Sequence, residues 1–268
     1  MRMFNSLIVV FKGVRMEWQA KQYSVFDEQR SRPAYDLVNA IPEINAQSII
    51  DLGCGTGNST QALLSRYSAH NIMGLDNSET MLIEAKKRLP QIDFQLADIS
   101  QWESEKKYDV IFSNAALQWL PDHISLYTRL VNNLTEGGYL AVQTPDNLQE
   151  PPHKIALEIA ATEKWINKIG HIHHEERHSV EWYFSLLKPL VTDINIWRTT
   201  YFHFMNDIND IVEWFKGTAL RPFLSMLDQD EQIVFLKEYK SRLSQEYAEL
   251  PIGGLLLPFP RVFILAKK

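Results

Sequence analysis

Three glycines at alternate positions, led by an aspartate, form the segment of this chain whose spacing most clearly suggests chemistry. Residues 51–57 read D-L-G-C-G-T-G and stand between an apolar run and a polar run that begins at Asn58. Glycine lets the backbone turn sharply and approach a ligand without a Cβ clash. The first turn of a helix offers unbonded N–H groups that can face an anion. The segment therefore predicts a ligand-binding loop between a strand and a helix.

Three kinds of nucleotide ligand compete for this loop. A phosphate-binding loop of the Walker type would need a lysine after Gly57, where Asn58 stands. A dinucleotide fingerprint would need a glycine at that same position. The pattern D-x-G-x-G-x-G of S-adenosylmethionine (SAM) binding fits every position, and Asp51 supplies a carboxylate for a ligand that carries an ammonium and a sulfonium. The loop therefore favours SAM.

Further polar residues stand where the next strands are predicted to end. Asp76 follows Gly57 by nineteen residues and could accept hydrogen bonds from both ribose hydroxyls. Asp98 could accept one from the adenine amino group, and Asn114 lies where the methyl group would be delivered. One aspartate alone would equally suit a helix cap, but ligands of open α/β sheets bind outside the carboxyl ends of successive strands. The predicted cofactor-binding residues are Asp51, Gly53, Cys54, Gly55, Gly57, Asn58, Asp76, Asn77, Met81, Asp98, Ile99, Asn114, Ala115 and Gln118.

Alternating strands and helices must position that loop. In the first half, the apolar pattern predicts helices and strands in alternation. Such alternation is typical of a parallel sheet with helices on both faces. The predicted helices are 30–41, 58–67 and 78–89, and the predicted strands are 47–52, 71–75, 94–96, 108–112 and, after a Gly137-Gly138 turn, 139–143.

The second half differs in pattern, beginning with the prolines at 145, 151 and 152. Two late strands with a helical insert between them predict a cap over the mouth of the sheet. We expect the cofactor-binding core at about 30–145 and the cap at about 146–190 and 205–257. The predicted helices lie near 154–168, near 179–188 and within 207–248, and the predicted strands are 193–204 and 260–266.

The bulk composition limits the class of protein. The chain has 268 residues, of which 45% are hydrophobic, so a large core can be buried. Its net charge of −6, without a basic stripe, argues against a nucleic-acid partner. The single cysteine, Cys54, rules out an internal disulfide and suits a reducing cytoplasm. The apolar run at 7–11 is too short to cross a membrane. We expect a cytoplasmic monomer or weak dimer that binds no membrane.

The start of the chain looks like an addition to the fold. Residues 1–15 precede the organised pattern, and Met16 would serve as an alternative start. We therefore expect one domain over residues 16–268.

One further motif suggests metal chemistry. Residues 174–178 read H-E-E-R-H, which matches the H-E-x-x-H pattern of zinc proteases. A zinc site also needs a third ligand and an open coordination position. This stretch is charged, follows Gly170 and precedes a predicted helix, which favours a solvated loop. We expect no bound metal.

The motifs together carry a family resemblance. The first half resembles class I SAM-dependent methyltransferases, and residues 17–268 resemble the trans-aconitate 2-methyltransferase family. The narrower similarity rests on S-N-A-A-L-Q-W-L-P-D-H at 113–123 and on segments 141–147, 196–201, 220–222 and 259–261. Departures are Thr56 where proline is expected, Ala219 where glycine is expected, and a poor match at 163–178. The resemblance implies a Rossmann-like fold with a mostly parallel, seven-stranded sheet and a C-terminal helical cap.

The resemblance also implies the reaction, which is methyl-ester formation on a small unsaturated tricarboxylic acid. A carboxylate has a pKa of roughly 4–5 and needs no general base, so we expect no catalytic proton-transfer residue. Arginines suit the other carboxylates of the acceptor. Strand alternation separates Arg198 from Tyr201 and His203, and we favour Tyr201 and Arg221. The predicted acceptor-binding residues are Trp18, Tyr23, Arg32, Trp119, Arg198, Tyr201, His203, Arg221 and Arg261.

Two other functions remain open from the sequence. A related enzyme class esterifies an acid attached to an acyl carrier protein, but the isoelectric point of about 5.8 does not suggest a basic docking surface for such a carrier. A SAM-binding regulatory protein without turnover is the second alternative. The intact loop and strand-end residues argue against it.

Overall fold

A sheet of seven strands forms the central layer of the protein. The computed structural model describes residues 27–170, 172 and 178–268. The strand order is β3-β2-β1-β4-β5-β7-β6. Only β7 runs antiparallel to its neighbours β5 and β6, so the prediction of a mostly parallel sheet is confirmed. The strands are β1 Ile49–Leu52, β2 Ile72–Asp76, β3 Asp93–Leu96, β4 Tyr108–Asn114, β5 Leu134–Pro145, β6 Asp193–Met205 and β7 Leu255–Lys267.

Helices surround this sheet, and side-chain caps define where several of them begin. Ser78 accepts a hydrogen bond from Met81 N, and Asp228 forms a reciprocal capping box with Glu231. The described helices are α1 Asp27–Ala40, α2 Asn58–Leu64, α3 Glu79–Arg88, α4 His123–Asn132, α5 Pro151–Ala160, α6 Ile166–Ile169, α7 Val180–Leu187, α8 Ile208–Lys216, α9 Arg221–Leu224 and α10 Gln229–Leu243.

The two faces of the sheet bury different helices, as a doubly wound fold requires. Alternation along β4 places Phe112 on one face and Ile111 on the other. The first face packs against α1, α2 and α3, and we call it the α1 face. The second face packs against α4 and α7. Helices on both faces were predicted, and this prediction is confirmed.

A third core joins the C-terminal helices to the far ends of β6 and β7. Met205 and Phe259 from these strands pack with Trp214 of α8 and Phe235 of α10. Tyr239 OH donates to Pro152 O at 3.0 Å, which ties α10 to α5. We call α5, α6 and α8–α10 the helical layer. The predicted insert between the two late strands is confirmed, whereas its role as a cap over the sheet stays a prediction.

Four details differ from the sequence prediction. The helix predicted at 154–168 is divided into α5 and α6, with the Thr162 hydroxyl donating to Ile159 O at 2.8 Å where α5 ends. Helix α2 ends at Leu64, before Tyr67, and the Ser65 hydroxyl donates to Ala62 O there. Gly137 lies inside β5 instead of preceding it. Helix α4 was not predicted at all.

None of the helices described within 27–170 and 178–268 is long and apolar enough to cross a bilayer.

Candidate active site

The glycine loop turns sharply after β1 and folds back on β2. The backbone N–H groups of Gly53 and Cys54 both donate to Leu75 O, at 2.8 and 3.0 Å. Gly53 has φ +76°, and a Cβ built on it would lie 2.2 Å from the Cβ of Ala116. Glycine is therefore required at this position by both conformation and close packing.

The middle of the loop is open on its outer side. Gly55 has φ +55°, and a Cβ built there meets no described atom within 4 Å. Its N–H donates to Asp76 Oδ2 at 2.9 Å, while Asp76 Oδ1 accepts from Ser78 N at 2.9 Å. Burial is the main cause that raises the pKa of Asp76, and these backbone hydrogen bonds oppose it. Asp76 thus joins the loop to the start of α3, beside space that a ligand can enter.

Asp51 lies wholly buried in β1 beneath the loop. Its Oδ2 accepts from Ser59 Oγ at 2.7 Å and from Thr60 Oγ1 at 2.6 Å, both in the first turn of α2. Its Oδ1 is buried without a partner among the described residues. Burial raises the pKa of Asp51 to about 6, against the hydrogen bonds from Thr60 and Ser59. One oxygen therefore fixes α2, and the other fits a cationic group such as the ammonium of SAM.

Most of the other predicted cofactor residues lie near the carboxyl ends of β1, β2 and β3. Asp98 is exposed and accepts from Ser100 N at 2.8 Å. Ile99 is buried close to Gly53. The others are Cys54 and Met81, which are buried, Gly57, which precedes α2 with φ +87°, the half-buried Asn58, and the exposed Asn77.

A strained turn follows β4 where the methyl group was predicted to be delivered. Ala115 has φ +56°, a conformation that costs a residue with a Cβ about 1–2 kcal/mol. Its N–H donates to Gln143 O at 2.8 Å, and its carbonyl accepts from Gln118 Nε2 at 2.7 Å. The neighbouring Asn114 Oδ1 is buried without a described partner. The turn therefore brings Asn114, Ala115 and Gln118 together.

A group of charged and polar side chains lies on the α1 face beside this turn. Arg261 of β7 is only 4% exposed, and its Nη1 donates to Gln143 Oε1 at 3.0 Å. Tyr201 of β6 donates to Asp36 Oδ2 at 2.7 Å, and the Arg32 guanidinium lies 5.4 Å from the centre of the Tyr201 ring. We call these five residues the arginine cluster. They come from α1, β5, β6 and β7.

The electrostatics of the arginine cluster keep Tyr201 neutral. Burial contributes most to raising the pKa of the Tyr201 phenol, followed by its hydrogen bond to Asp36 and the charge of Asp36. The positive charges of Arg261 and Arg32 oppose that rise. The cluster thus holds two guanidinium groups and one carboxylate around a neutral phenol, which suits an anionic ligand.

The other predicted acceptor residues are not members of the arginine cluster, although His203 shares the side of β6 that carries Tyr201 and contacts Phe259, over which Arg261 lies. Arg198 is exposed and forms an ion pair with Asp146, and alternation along β6 places it on the opposite side from Tyr201. His203 is buried and stacks on Trp214, with ring centres 5.0 Å apart. Trp119 is 45% exposed, and Arg221 begins α9 in the helical layer. Trp18 and Tyr23 lie outside the described residues.

Sequence reasoning missed two members of the arginine cluster, Asp36 and Gln143. The sequence contained an indication of each residue. Asp36 stands four residues after Arg32 on α1, which is ion-pair spacing on a helix. Gln143 is a polar residue in an otherwise apolar strand run.

The H-E-x-x-H motif is described only at its last residue. The His178 ring stacks on Trp182 with centres 3.7 Å apart and lies 5.5 Å from the His123 ring. Within the described residues, no three metal-binding side chains gather. The other residues of the motif lie outside the described part, so the expectation of no metal stays a prediction.

Comparison with known proteins places the chain in a family. Residues 45–186 match the model of a methyltransferase domain. The trans-aconitate 2-methyltransferase of Acidovorax ebreus is 41% identical over 254 residues, which cover 94% of this chain and 98% of that protein. The enzyme of the same name from Afipia carboxidovorans is 42% identical over 252 residues, with 93% and 98% covered.

A solved structure supports the fold independently. The phosphoethanolamine N-methyltransferase 2 of Haemonchus contortus, in complex with S-adenosyl-L-methionine, aligns with a TM-score of 0.55 at 17% identity. The alignment covers 94% of this chain and 58% of that one. Because its curated relatives match it over more than nine-tenths of its length, this chain belongs to the trans-aconitate 2-methyltransferase family.

Proposed function

We propose that this protein transfers the methyl group of SAM to a carboxylate of a small polycarboxylic acid and so forms a methyl ester. Trans-aconitate is the first acceptor to test, because it appears in the names of the relatives. The observation that carries the proposal is Arg261, a buried guanidinium beside the strand ends where a nucleotide cofactor would bind. Arginine pairs with carboxylates through parallel N–H donors, which gives both strength and orientation.

The loop residues suit the cofactor. SAM, when bound, supplies a methyl group on a positively charged sulfur that leaves readily. Asp51 Oδ1 would accept from its ammonium, and Asp76 would accept from its ribose hydroxyls. The open space beside Gly55 would allow SAM to contact the loop backbone. We also propose that Asn77, Asp98 and Ile99 surround the adenine.

The chain needs to position the acceptor instead of activating it. A carboxylate is already ionised at neutral pH, so no residue must remove a proton. Arg261 and Arg32 would hold the carboxylates that do not react. Tyr201 donates a hydrogen bond to Asp36 and keeps its proton, so it positions Asp36 and the neighbouring Arg32. The reacting carboxylate would then lie next to Asn114, in line with the methyl group, and water would be excluded.

The test is methyl transfer from radiolabelled SAM to a panel of di- and tricarboxylic acids. We expect base-labile label in trans-aconitate or a close analogue, because methyl esters hydrolyse in base. Label that appears only on amines, or only on an acid bound to an acyl carrier protein, would contradict the proposal.

The proposal also covers the cellular location and the oligomeric state of the enzyme. A small acid acceptor needs no docking partner, and Cys54 is a buried, free thiol. We infer a cytoplasmic enzyme that acts as a monomer or weak dimer. Sedimentation of the purified chain would test the oligomeric state.

A further inference from the structure

Gln143 lies wholly buried at the centre of the site. It pairs with Asn114 of β4 on one side and with Phe263 of β7 on the other. Residues that are opposite each other on neighbouring strands share a face of the sheet. The side chain therefore lies on the α1 face, between the position of methyl delivery and Arg261.

The hydrogen bond to Arg261 fixes the orientation of the Gln143 amide. A guanidinium carries only donors, so the atom that faces Arg261 Nη1 at 3.0 Å must be the carbonyl oxygen Oε1. The amide nitrogen Nε2 must then face away from Arg261. It is buried and has no partner among the described residues.

An unsatisfied donor in this position points to a ligand. Buried polar groups in native proteins almost always have a hydrogen-bond partner. Asn114 Oδ1, on the adjacent strand, is also buried without a described partner. These two residues are register partners on β4 and β5, at the position where the acceptor would be held.

We propose that Gln143 Nε2 donates a hydrogen bond to a carboxylate oxygen of the acceptor, which makes Gln143 a specificity-determining residue. This inference rests on the proposed function. Because Oε1 is held by Arg261, Gln143 presents only N–H donors to a ligand. It therefore selects oxygen acceptors such as carboxylates and disfavours amines, whose own N–H groups would face it.

The variant Gln143→Glu tests the Nε2 donor apart from the oxygen that faces Arg261. The glutamate keeps an oxygen toward Arg261 but replaces the Nε2 donor with a negatively charged oxygen. We expect the KM for trans-aconitate, and its Kd measured by calorimetry with S-adenosylhomocysteine present, to rise about tenfold or more. The Kd of SAM stays unchanged. Gln143→Met removes both the donor and the oxygen held by Arg261 without adding charge, so a KM that stays unchanged in this variant also contradicts the inference if the glutamate variant does not fold.

The matched control is Gln232→Glu in α10. Gln232 Nε2 donates to Leu224 O and Leu227 O inside the helical layer, so this change removes a comparable donor at a distance. We expect a lower Tm and an unchanged KM for the acid. Unchanged acid affinity in both Gln143 variants, or an equal loss of acid and SAM affinity, overturns the inference.

Measurements on the wild-type protein distinguish a failure of the proposed function from a failure of the inference about Gln143. If it methylates trans-aconitate and the Gln143 variants do so with unchanged KM, the function stands and the inference fails. If it binds trans-aconitate through Gln143 without methylating any acid, the inference stands and the proposed function fails.

Discussion

At the scale of single residues, Asp51 uses its two oxygens differently. Oδ2 accepts two hydroxyl hydrogen bonds and thereby fixes the start of α2, whereas Oδ1 is buried without a described partner. Removing a carboxylate from water disfavours its charged form, and this effect of burial outweighs the two hydrogen bonds. In the ligand-free protein the charge of Asp51 is therefore unfavourable.

This charge predicts a pH dependence of stability. Burial raises the pKa of Asp51 from its ordinary 3.8 to about 6. A group whose pKa is raised on folding contributes most when protonated, and that contribution is lost as the pH rises through this interval. Asp51→Asn should therefore raise the free energy of unfolding of the ligand-free protein at pH 8, and much less at pH 4. Urea unfolding at both pH values measures this, with the exposed Asp230→Asn as control. An equal gain at both would contradict the assignment.

The same carboxylate predicts the pH dependence of cofactor binding. The ammonium of SAM favours ionised Asp51, so SAM affinity should fall as the pH drops through about 6. Titration calorimetry should show proton release on binding below that pH. Asp51→Asn should bind SAM weakly at every pH without this fall. A wild-type affinity that does not change between pH 5 and 8 would mean that Asp51 does not face the ammonium.

Arg261 allows a direct test of the acceptor site. Arg261→Met keeps much of the buried volume but removes the guanidinium, so the KM for trans-aconitate should rise roughly 10- to 100-fold while the Kd of SAM stays the same. The control is Arg198→Met, because Arg198 is exposed on the opposite side of β6 and pairs with Asp146. Equal effects of the two changes on KM would argue against the arginine cluster as the acceptor site.

At the scale of elements, two glycines of the same loop should affect stability and SAM binding differently. Gly53→Ala combines a left-handed backbone, costing about 1–2 kcal/mol, with a Cβ that would overlap that of Ala116. Gly55→Ala has the same kind of backbone cost but meets no described atom. We expect Gly53→Ala to lower the Tm further, and Gly55→Ala to lose more SAM affinity for each degree of Tm lost. Thermal unfolding and SAM titration of both variants check this, and the reverse ranking would refute it.

Sequence patterns predicted the strands that carry the loop but not the ends of β5. Strands β1 and β2 are short apolar runs bounded by polar residues, which is why their positions could be predicted. The Gly137-Gly138 pair suggested a turn, and Gly137 does have φ +79°, yet β5 already pairs with Tyr108 at Leu134 and resumes at Tyr139. The bulge between them is set by the neighbouring strand, which local sequence does not reveal.

Helix α4 and the contact between Gln143 and Arg261 show why sequence patterns did not predict some features of the structure. The helix begins at His123, after the N-cap residue Asp122, which has a left-handed φ of +52° and whose side chain accepts from Ser125 N at 3.1 Å. Gln143 and Arg261 are separated by 118 residues, and only the antiparallel β5–β7 pairing brings them together. Patterns with short periods predict elements, whereas contacts of this range depend on the order of strands in the sheet.

At the scale of the whole molecule, charge is distributed unevenly. The chain carries a net charge of −6, yet the arginine cluster places two guanidinium groups against one carboxylate on the α1 face. If the proposed function holds, a polyanionic acceptor is attracted locally, by Arg261 and Arg32, instead of by the overall field of the protein. The cluster depends on the complete sheet, since its members come from α1, β5, β6 and β7.

The predicted domain boundary near Met16 allows a truncation test. The organised pattern begins near Met16, and the resemblance implies acceptor contacts from Trp18 and Tyr23. Deleting residues 1–15 should therefore leave kcat, the KM for trans-aconitate and the Tm unchanged. Deleting residues 1–26 should raise that KM, because it also removes Trp18 and Tyr23. Trp18→Ala and Tyr23→Phe in the full chain test the two side chains separately and should raise the same KM. Steady-state kinetics and thermal unfolding measure both effects. A loss of activity on deleting residues 1–15 alone would place part of the active enzyme in that segment, because the single domain would then begin before Met16.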